Sequence, residues 1–301
     1  LALDVTRAYY DAALADRLVT IAEASLTQAA ALYEQARTLF EAGSRPEFEL
    51  LRAQVARDNQ QPAVIRARSQ RDIAYLRLKQ LLDLPAGAQL ELEAGLAGVA
   101  LPPPAPFAQA PGAASADILR PAIRQAEASV ALNEAALALA RAQRKPAVLV
   151  VSNLQEVAYG LFPTDWRANW TVGATMSVPI MTGGRLKAEE TIAAADVAAA
   201  RARLQQAREL SALDGETARQ ELIAADAAWS ASAGTVTQAR RAYEIAELRY
   251  REGISTQLEL ADSRLALESA EANRAQAARD VQVARARLAL LPNLPLSSAG
   301  R

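Results

Sequence analysis

Shifted by 210 positions, the chain lies over itself without a gap. The segment QAAALYEQARTLFEAGSRPEFELLRAQ, from Gln28, falls on QARRAYEIAELRYREGISTQLELADSR, from Gln238. Tyr33 meets Tyr243, Glu34 meets Glu244, Gly43 meets Gly253, Glu49 meets Glu259 and Leu50 meets Leu260. The same register joins Leu3-Asp4 to Leu213-Asp214 and Leu84-Pro85 to Leu294-Pro295. Matches of Ala to Ala carry little weight in so alanine-rich a chain. Matches of Tyr, Gly and Pro in one register carry much more. The fold must therefore contain two copies of one unit.

Each copy reads as a helical hairpin. In the second, Thr182-Gly183-Gly184 closes a strand, and a helix runs from about Arg185 to Glu252. At about 1.5 Å per residue it is roughly 100 Å long. Gly253 breaks it, Ser255 or Thr256 can cap the returning helix, and Pro292 stops that helix near Leu291. The first copy turns at Gly43-Ser44-Arg45-Pro46, with Pro46 suited to a first helical turn, and returns to about Leu82. Pro62 lies inside the returning helix, where a kink is expected. Helices in globular domains average about 11–12 residues. Helices this long form coiled coils or the staves of a hollow barrel. Their apolar stripe is thin and broken by Arg, Glu and Gln, which suits staves that bury only their flanks.

This divides the chain into a first helical hairpin (1–85), a connector (86–117), a helix (118–146), a β-hairpin (147–180), a second helical hairpin (181–291) and a tail (292–301). The connector is rich in Pro, Gly and Ala. QLELEAGL within it can add a short strand, and Ser115 can cap the next helix, from about Ile118 to Arg144.

The β-hairpin rests on NWTVGATMSVPI, Asn169 to Ile180. Trp170, Val172, Ala174, Met176, Val178 and Ile180 fall on one face, while Thr171, Gly173, Thr175 and Ser177 fall on the other. AVLVVSNLQEVAY before it supplies a partner. Both strands approach the ~9–11 residues that cross a bilayer as tilted β. Tyr159, Phe162, Trp166 and Trp170 gather at the hairpin tip, as aromatics do at a membrane interface. A hairpin resting on a soluble core is the plainer reading. The neighbouring helices are too long and polar to offer that core, so the apolar face meets lipid or another subunit. A lone hairpin leaves backbone groups unpaired in hydrocarbon. The repeat places a second hairpin before Leu1, in a chain that starts inside a helical pattern and so reads as a fragment. Four strands per protomer still fall short of the eight that close a barrel, so the protein is expected to oligomerise.

Composition removes other classes. There is no His and no Cys, which excludes a Ser–His triad, a Cys nucleophile and the usual zinc, haem or iron–sulfur ligands. Neither a metal nor a cofactor is expected. The net charge of −1 gives no basic footprint for nucleic acid. The acidic residues form no catalytic constellation, so an enzyme is not expected.

With these residues in view, the chain closely resembles the outer membrane efflux proteins, the TolC family, over nearly its whole length. The marks are the Y…GxxxxxEL tip in both copies, RKPAVLVV entering the first strand, WTVGATMSVPIMTGGR leaving the second, and the closing LLPNLP. The resemblance implies a homotrimer with a twelve-stranded β-barrel in the outer membrane and an α-helical barrel in the periplasm. Solutes would pass through it from a periplasmic adaptor and an inner-membrane pump. The connector would join the C-terminal tail in an equatorial belt.

The resemblance also assigns residues. Glu259 and Asp262 match the acidic pair that gates the tunnel, and three copies would form a cation-favouring ring. Such crowding would raise some of their pKa values. Glu49 is the counterpart in the other copy, with Arg52 in place of a second acid, and Tyr250 would join the tip's hydrogen-bond network. Arg45, Arg249 and Arg251 are placed to bridge the acids in a closed state. Gly43, Ser44, Arg45, Gly253, Ile254, Ser255 and Thr256 would meet the adaptor. The plainer reading of Glu259 and Asp262 is an exposed, solvated helix face, and that of Gly43 and Gly253 is a helix stop. Two other classes stay open: a periplasmic adaptor, which would have one hairpin flanked by small β domains, and a coiled-coil scaffold without a pore.

Overall fold

The computed structural model describes residues 1–93, 96, 120–158 and 166–296. In order these form α1 (Ala2–Glu41), α2 (Glu47–Leu81), α3 (Pro121–Ala142), β1 (Ala147–Ala158), β2 (Trp166–Ser177), α4 (Arg185–Arg251) and α5 (Gln257–Leu290). A 3-10 turn at Leu291–Asn293 follows, with Pro292 in its first turn. The repeat survives as structure. Glu41, where α1 ends, falls under the 210-residue shift on Arg251, where α4 ends, and Glu47 falls on Gln257, where α5 begins.

The chain divides into two compact units. The first comprises 1–115 and 213–294 and so holds α1, α2, α5 and the later part of α4. Here α1 packs against both α2 and α5. Its buried surface is largely alanine: Ala8, Ala12, Ala15 and Ala22 on α1 face the interior, as do Ala270, Ala277, Ala284 and Ala286 on α5. Alanine combines high helix propensity with a small side chain, so helices can lie close together but bury little area per residue. Larger side chains join at Tyr10, Val19, Ile21, Val281 and Leu288. Phe48, Leu51, Val55, Ile65 and Ile73 on α2 remain exposed, as do Ile223, Ile245 and Leu248 on α4.

Gln89 to Glu93 form no strand. Leu90 and Leu92 instead pack on the cluster of Ala8, Ala12 and Leu78, where burial on the α1/α2 surface replaces pairing to a sheet edge. The rest of the connector lies outside the described residues, apart from Leu96, and with it the equatorial-belt expectation. Pro46 is the N-cap of α2, one position before the first helical residue, with φ −72° and ψ 153°. Proline's fixed φ suits this extended geometry as well as a helical one. α2 runs unbroken through Pro62.

The second unit comprises 116–212 and 295–301. Its helix α3 starts at Pro121, later than the Ile118 expected. A proline disfavours helical backbone in the residue before it, and Arg120 is extended at φ −71°, ψ 127°. Ser115 and its proposed capping role lie outside the described residues. The Arg120 side chain is buried; it donates from Nη1 to Ser211 Oγ at 3.3 Å and from Nη2 to the Pro295 carbonyl at 3.2 Å. Ion pairs lace α3 to the early part of α4: Arg141 and Arg144 to Glu190, Arg201 to Glu134, and Arg208 to Glu127, all within 2.6–3.1 Å. Hydrogen bonds from Arg141 and Arg144 hold the Glu190 carboxyl below its ordinary range. Pairs this exposed contribute little each, so they set alignment more than stability.

Strands β1 and β2 pair antiparallel from Ala147↔Ser177 to Ala158↔Trp166. Gly183 and Gly184, at φ +60° and +84°, then turn the chain into α4. That left-handed backbone strains any residue with a Cβ.

Candidate functional site

Both helical hairpins turn by the same device. Gly43 has φ +70° and Gly253 φ +73°. The Ser44 N–H donates to the Leu39 carbonyl at 2.9 Å, and the Ile254 N–H donates to the Arg249 carbonyl at 2.8 Å. These bonds satisfy end-of-helix carbonyls in a Schellman-type turn, which requires glycine's conformational freedom. Thr256, not Ser255, then caps α5, its Oγ1 accepting from the Glu259 N–H at 3.3 Å. Gly253→Ala and Gly43→Ala are each expected to cost about 1 kcal/mol, read from thermal unfolding by circular dichroism. The space differs: nothing lies near a Cβ on Gly43, whereas Arg45 Nη2 lies 3.6 Å from one on Gly253. Equal losses show that backbone strain sets the cost, because 3.6 Å is ordinary contact.

The two tips are joined to each other. Arg45, from the first, places its guanidinium 5.6 Å from the centre of the Tyr250 ring at the end of α4. It also pairs with Glu49 Oε1 at 3.2 Å. The other Glu49 oxygen, Oε2, is closed to solvent and has no hydrogen-bond partner among the described residues. The Gln257 amide, oriented to satisfy both its ends, donates to the Glu49 carbonyl at 3.2 Å and accepts from the Ala53 N–H at 3.1 Å. Tyr250 is buried with Tyr243, Ala246, Leu260 and Leu267. Burial first, and Glu49 second, push its phenol pKa up, with Arg45 opposing.

Glu259 and Asp262 sit on the first turns of α5 and differ in partners. Glu259 Oε1 accepts from Arg249 Nη1 at 2.7 Å, closing the end of α4 onto the start of α5. Asp262 is exposed and makes no ion pair among the described residues. Of the three arginines expected to bridge the acids, Arg45 and Arg249 do so, to Glu49 and Glu259. Arg251 pairs with Glu247, one turn back on its own helix, where the i,i+4 spacing already supplies an acid. At the tips Ser44, Ile254 and Thr256 are exposed, Arg45 turns inward and Ser255 is buried.

Behind the acids lies a buried polar node that periodicity did not reveal. Arg264, on α5, is 5% exposed. Its Nη1 donates to Ser25 Oγ on α1, and Ser25 donates to Glu268 Oε2 at 2.7 Å. The Gln60 oxygen on α2, in the amide orientation that satisfies it, accepts from both terminal nitrogens of Arg264 at 3.0 and 3.2 Å. One guanidinium thus ties three helices together. A signal existed: Arg264 falls four residues after Leu260 and three before Leu267, on the apolar stripe itself.

On the β-hairpin, the apolar face of β2 continues onto β1, pairing Val148 with Met176, Val150 with Ala174, Ser152 with Val172, and Leu154 with Trp170. All of these are exposed. The Ser152 hydroxyl, a polar group on this face, accepts from Trp170 Nε1 at 3.0 Å. β2 ends at Ser177, before Val178 and Ile180, which follow it exposed and outside the strand. Pro179 has no N–H to extend the ladder. Tyr159, Phe162 and the Trp166 side chain lie outside the described residues, so the aromatic tip is represented by Trp170 alone.

Two tandem helical hairpins, with a two-stranded sheet exposed on both faces, define a stave-built protein that is mainly α. The family model of the outer membrane efflux proteins matches residues 1–83 and 114–293, and the chain belongs to that family. Nodulation protein T from Rhizobium leguminosarum bv. trifolii is 25% identical over 289 residues, covering 92% of this chain and 59% of that protein. Among solved structures, a membrane protein from Pseudomonas aeruginosa is similar at a TM-score of 0.82 and 19% identity. It matches 96% of this chain and 65% of its own. The Neisseria gonorrhoeae MtrE outer membrane channel, in its open state, gives 0.77 at 22% identity, with 96% and 65% coverage. The VceC outer membrane protein of Vibrio cholerae gives 0.79 at 18%, with 96% and 69%. The chain thus spans less than two thirds of the length of nodulation protein T.

Proposed function

We propose that the protein is the outer membrane exit duct of a tripartite efflux or type I secretion system. It assembles as a homotrimer, its strands joining a twelve-stranded barrel in lipid and its helices forming a periplasmic tunnel. A periplasmic adaptor meets the tips around Gly43–Arg45 and Gly253–Thr256 and links them to an inner-membrane pump. Solutes pass through without chemistry. Beyond family membership, the observation that carries this reading is the exposed apolar face of the β-hairpin. Its outer edges have no strand partner among the described residues. Hydrocarbon tolerates such edges only in a closed barrel.

The gate reading places Glu259, Asp262, Glu49 and Tyr250 at the narrow periplasmic end. The Arg249–Glu259 and Arg45–Glu49 pairs act as latches, while Asp262 is free to face a passing ion. Single-channel conductance of the complete protein in planar bilayers tests this, beside the Glu259→Ala/Asp262→Ala double variant. A conducting trimer whose cation preference falls severalfold in the variant supports both duct and gate. Conduction with unchanged preference overturns the gate assignment alone. A complete chain that never inserts overturns the duct and favours an adaptor or coiled-coil scaffold.

A further inference from the structure

We infer that the first unit carries a binding site for a small amphipathic anion, an aromatic or otherwise apolar body bearing one carboxylate or similar acid. The site is a cavity of about 480 Å³ among α1, α4 and α5, with Leu96 of the connector also on its wall. It exists because the helices converge on alanines, Ala13, Ala275 and Ala278, which leave space that larger side chains would fill. Its volume falls in the range of small-molecule sites, which are mostly apolar with a few placed polar groups.

The polar groups here have one sign left over. Arg274 lies over the Trp229 ring, 4.1 Å from its centre. It makes no hydrogen bond or ion pair among the described residues, and its Nη1 is closed to solvent and unpartnered. Arg17, at the rim, also lacks a carboxylate partner among the described residues. The two acids of the lining are already engaged. Glu271 pairs with Arg240 at 2.7 Å, and Asp16 accepts from the Tyr75 hydroxyl at 2.6 Å. A guanidinium nitrogen closed to water without an acceptor is costly, and the group presents a planar donor fork suited to a carboxylate. Around it, Val236, Leu96 and the indole of Trp229 beyond the guanidinium offer apolar surface for the body of the ligand. The inference is independent of the duct reading, because the cavity lies within one unit and its test needs no pore.

The test is a calorimetric titration of 1-naphthoate into the complete protein held in amphipol. The neutral 1-naphthalenemethanol and the cationic 1-naphthylmethylammonium are run beside it. Saturable binding near one per chain is expected for naphthoate, at least tenfold weaker for the alcohol, and undetectable for the cation. Arg274→Gln should weaken naphthoate at least tenfold, Arg17→Gln severalfold, and Arg274→Lys should fall between wild type and Arg274→Gln. Absent saturation, an alcohol that binds as well as the acid, or an unchanged Arg274→Gln each overturns the site. If Arg274→Gln loses helix content, the three-probe comparison on the unaltered protein decides.

Discussion

Replacing Arg264 with alanine is expected to lower the unfolding free energy by about 3–5 kcal/mol, because it breaks a buried charged network by removing one partner. Thermal unfolding followed at the helix signal should shift down by roughly 10 °C. The loss has two sources. The guanidinium reaches Ser25 and Gln60 on two other helices, so its removal cuts the tie among all three. It also leaves Gln60, 8% exposed, and Ser25, 4% exposed, in a place where water cannot fully replace the lost donor. Glu268 keeps the Ser25 hydroxyl but loses the nearby charge, 3.9 Å away. Arg264→Lys should cost less, since it keeps the charge and loses the planar fork. Exchanging the whole node together, as Arg264→Met, Ser25→Ala, Gln60→Leu and Glu268→Leu, should recover most of the loss. An unchanged midpoint in Arg264→Ala would show that the node does not hold the helices.

The second large effect falls at Leu260, which is fully buried between Glu259 and the Arg264 node. Its side chain packs with Tyr243, Ala246, Tyr250 and Leu267. Leu260→Ala removes buried methyls and leaves a void beside two tyrosine rings, with an expected cost of about 3 kcal/mol. The repeat supplies an internal control. Leu50 occupies the equivalent position in the first copy but is only half-buried. Leu50→Ala should cost less than half as much. The same sequence position thus has different energetic weight in the two copies, which parallel denaturant unfolding of both variants would measure. On the proposed gate, Leu260→Ala should also raise the resting conductance in bilayers, because the helix carrying Glu259 and Asp262 loses its packing behind the acids. Equal costs at the two leucines would mean that the tip cluster adds nothing specific to the second hairpin.

Much of the framework was legible from local signals. The turn at Gly253 needs a left-handed residue, Thr256 offers a cap, and Pro292 cannot continue a helix. Each acts within a few positions of itself, so each can be read without knowing the partner helices. The start of α3 is a local signal as well, because Pro121 favours a first helical turn and disfavours helical backbone at Arg120. The strand alternation located β2, and Pro179 placed its end earlier than alternation alone suggested.

The partners of charged groups were another matter. Arg45, Arg249 and Arg251 look equivalent near the tips, yet Arg251 turns back to Glu247 while Arg45, besides pairing with Glu49 four residues on, crosses to the Tyr250 ring. Arg120 and Arg264 are buried, each tied to groups far away in the sequence. The helices, their glycine turns and the amphipathic strand were determined by the sequence by itself, because backbone hydrogen bonding and side-chain periodicity operate over four residues or fewer, and the repeat is written in the residues themselves. Tertiary structure alone decided which arginines are buried, which of Glu259 and Asp262 is ion-paired and where the alanines leave a cavity. Those outcomes depend on how each long helix is rotated against its neighbours, which no local signal sets.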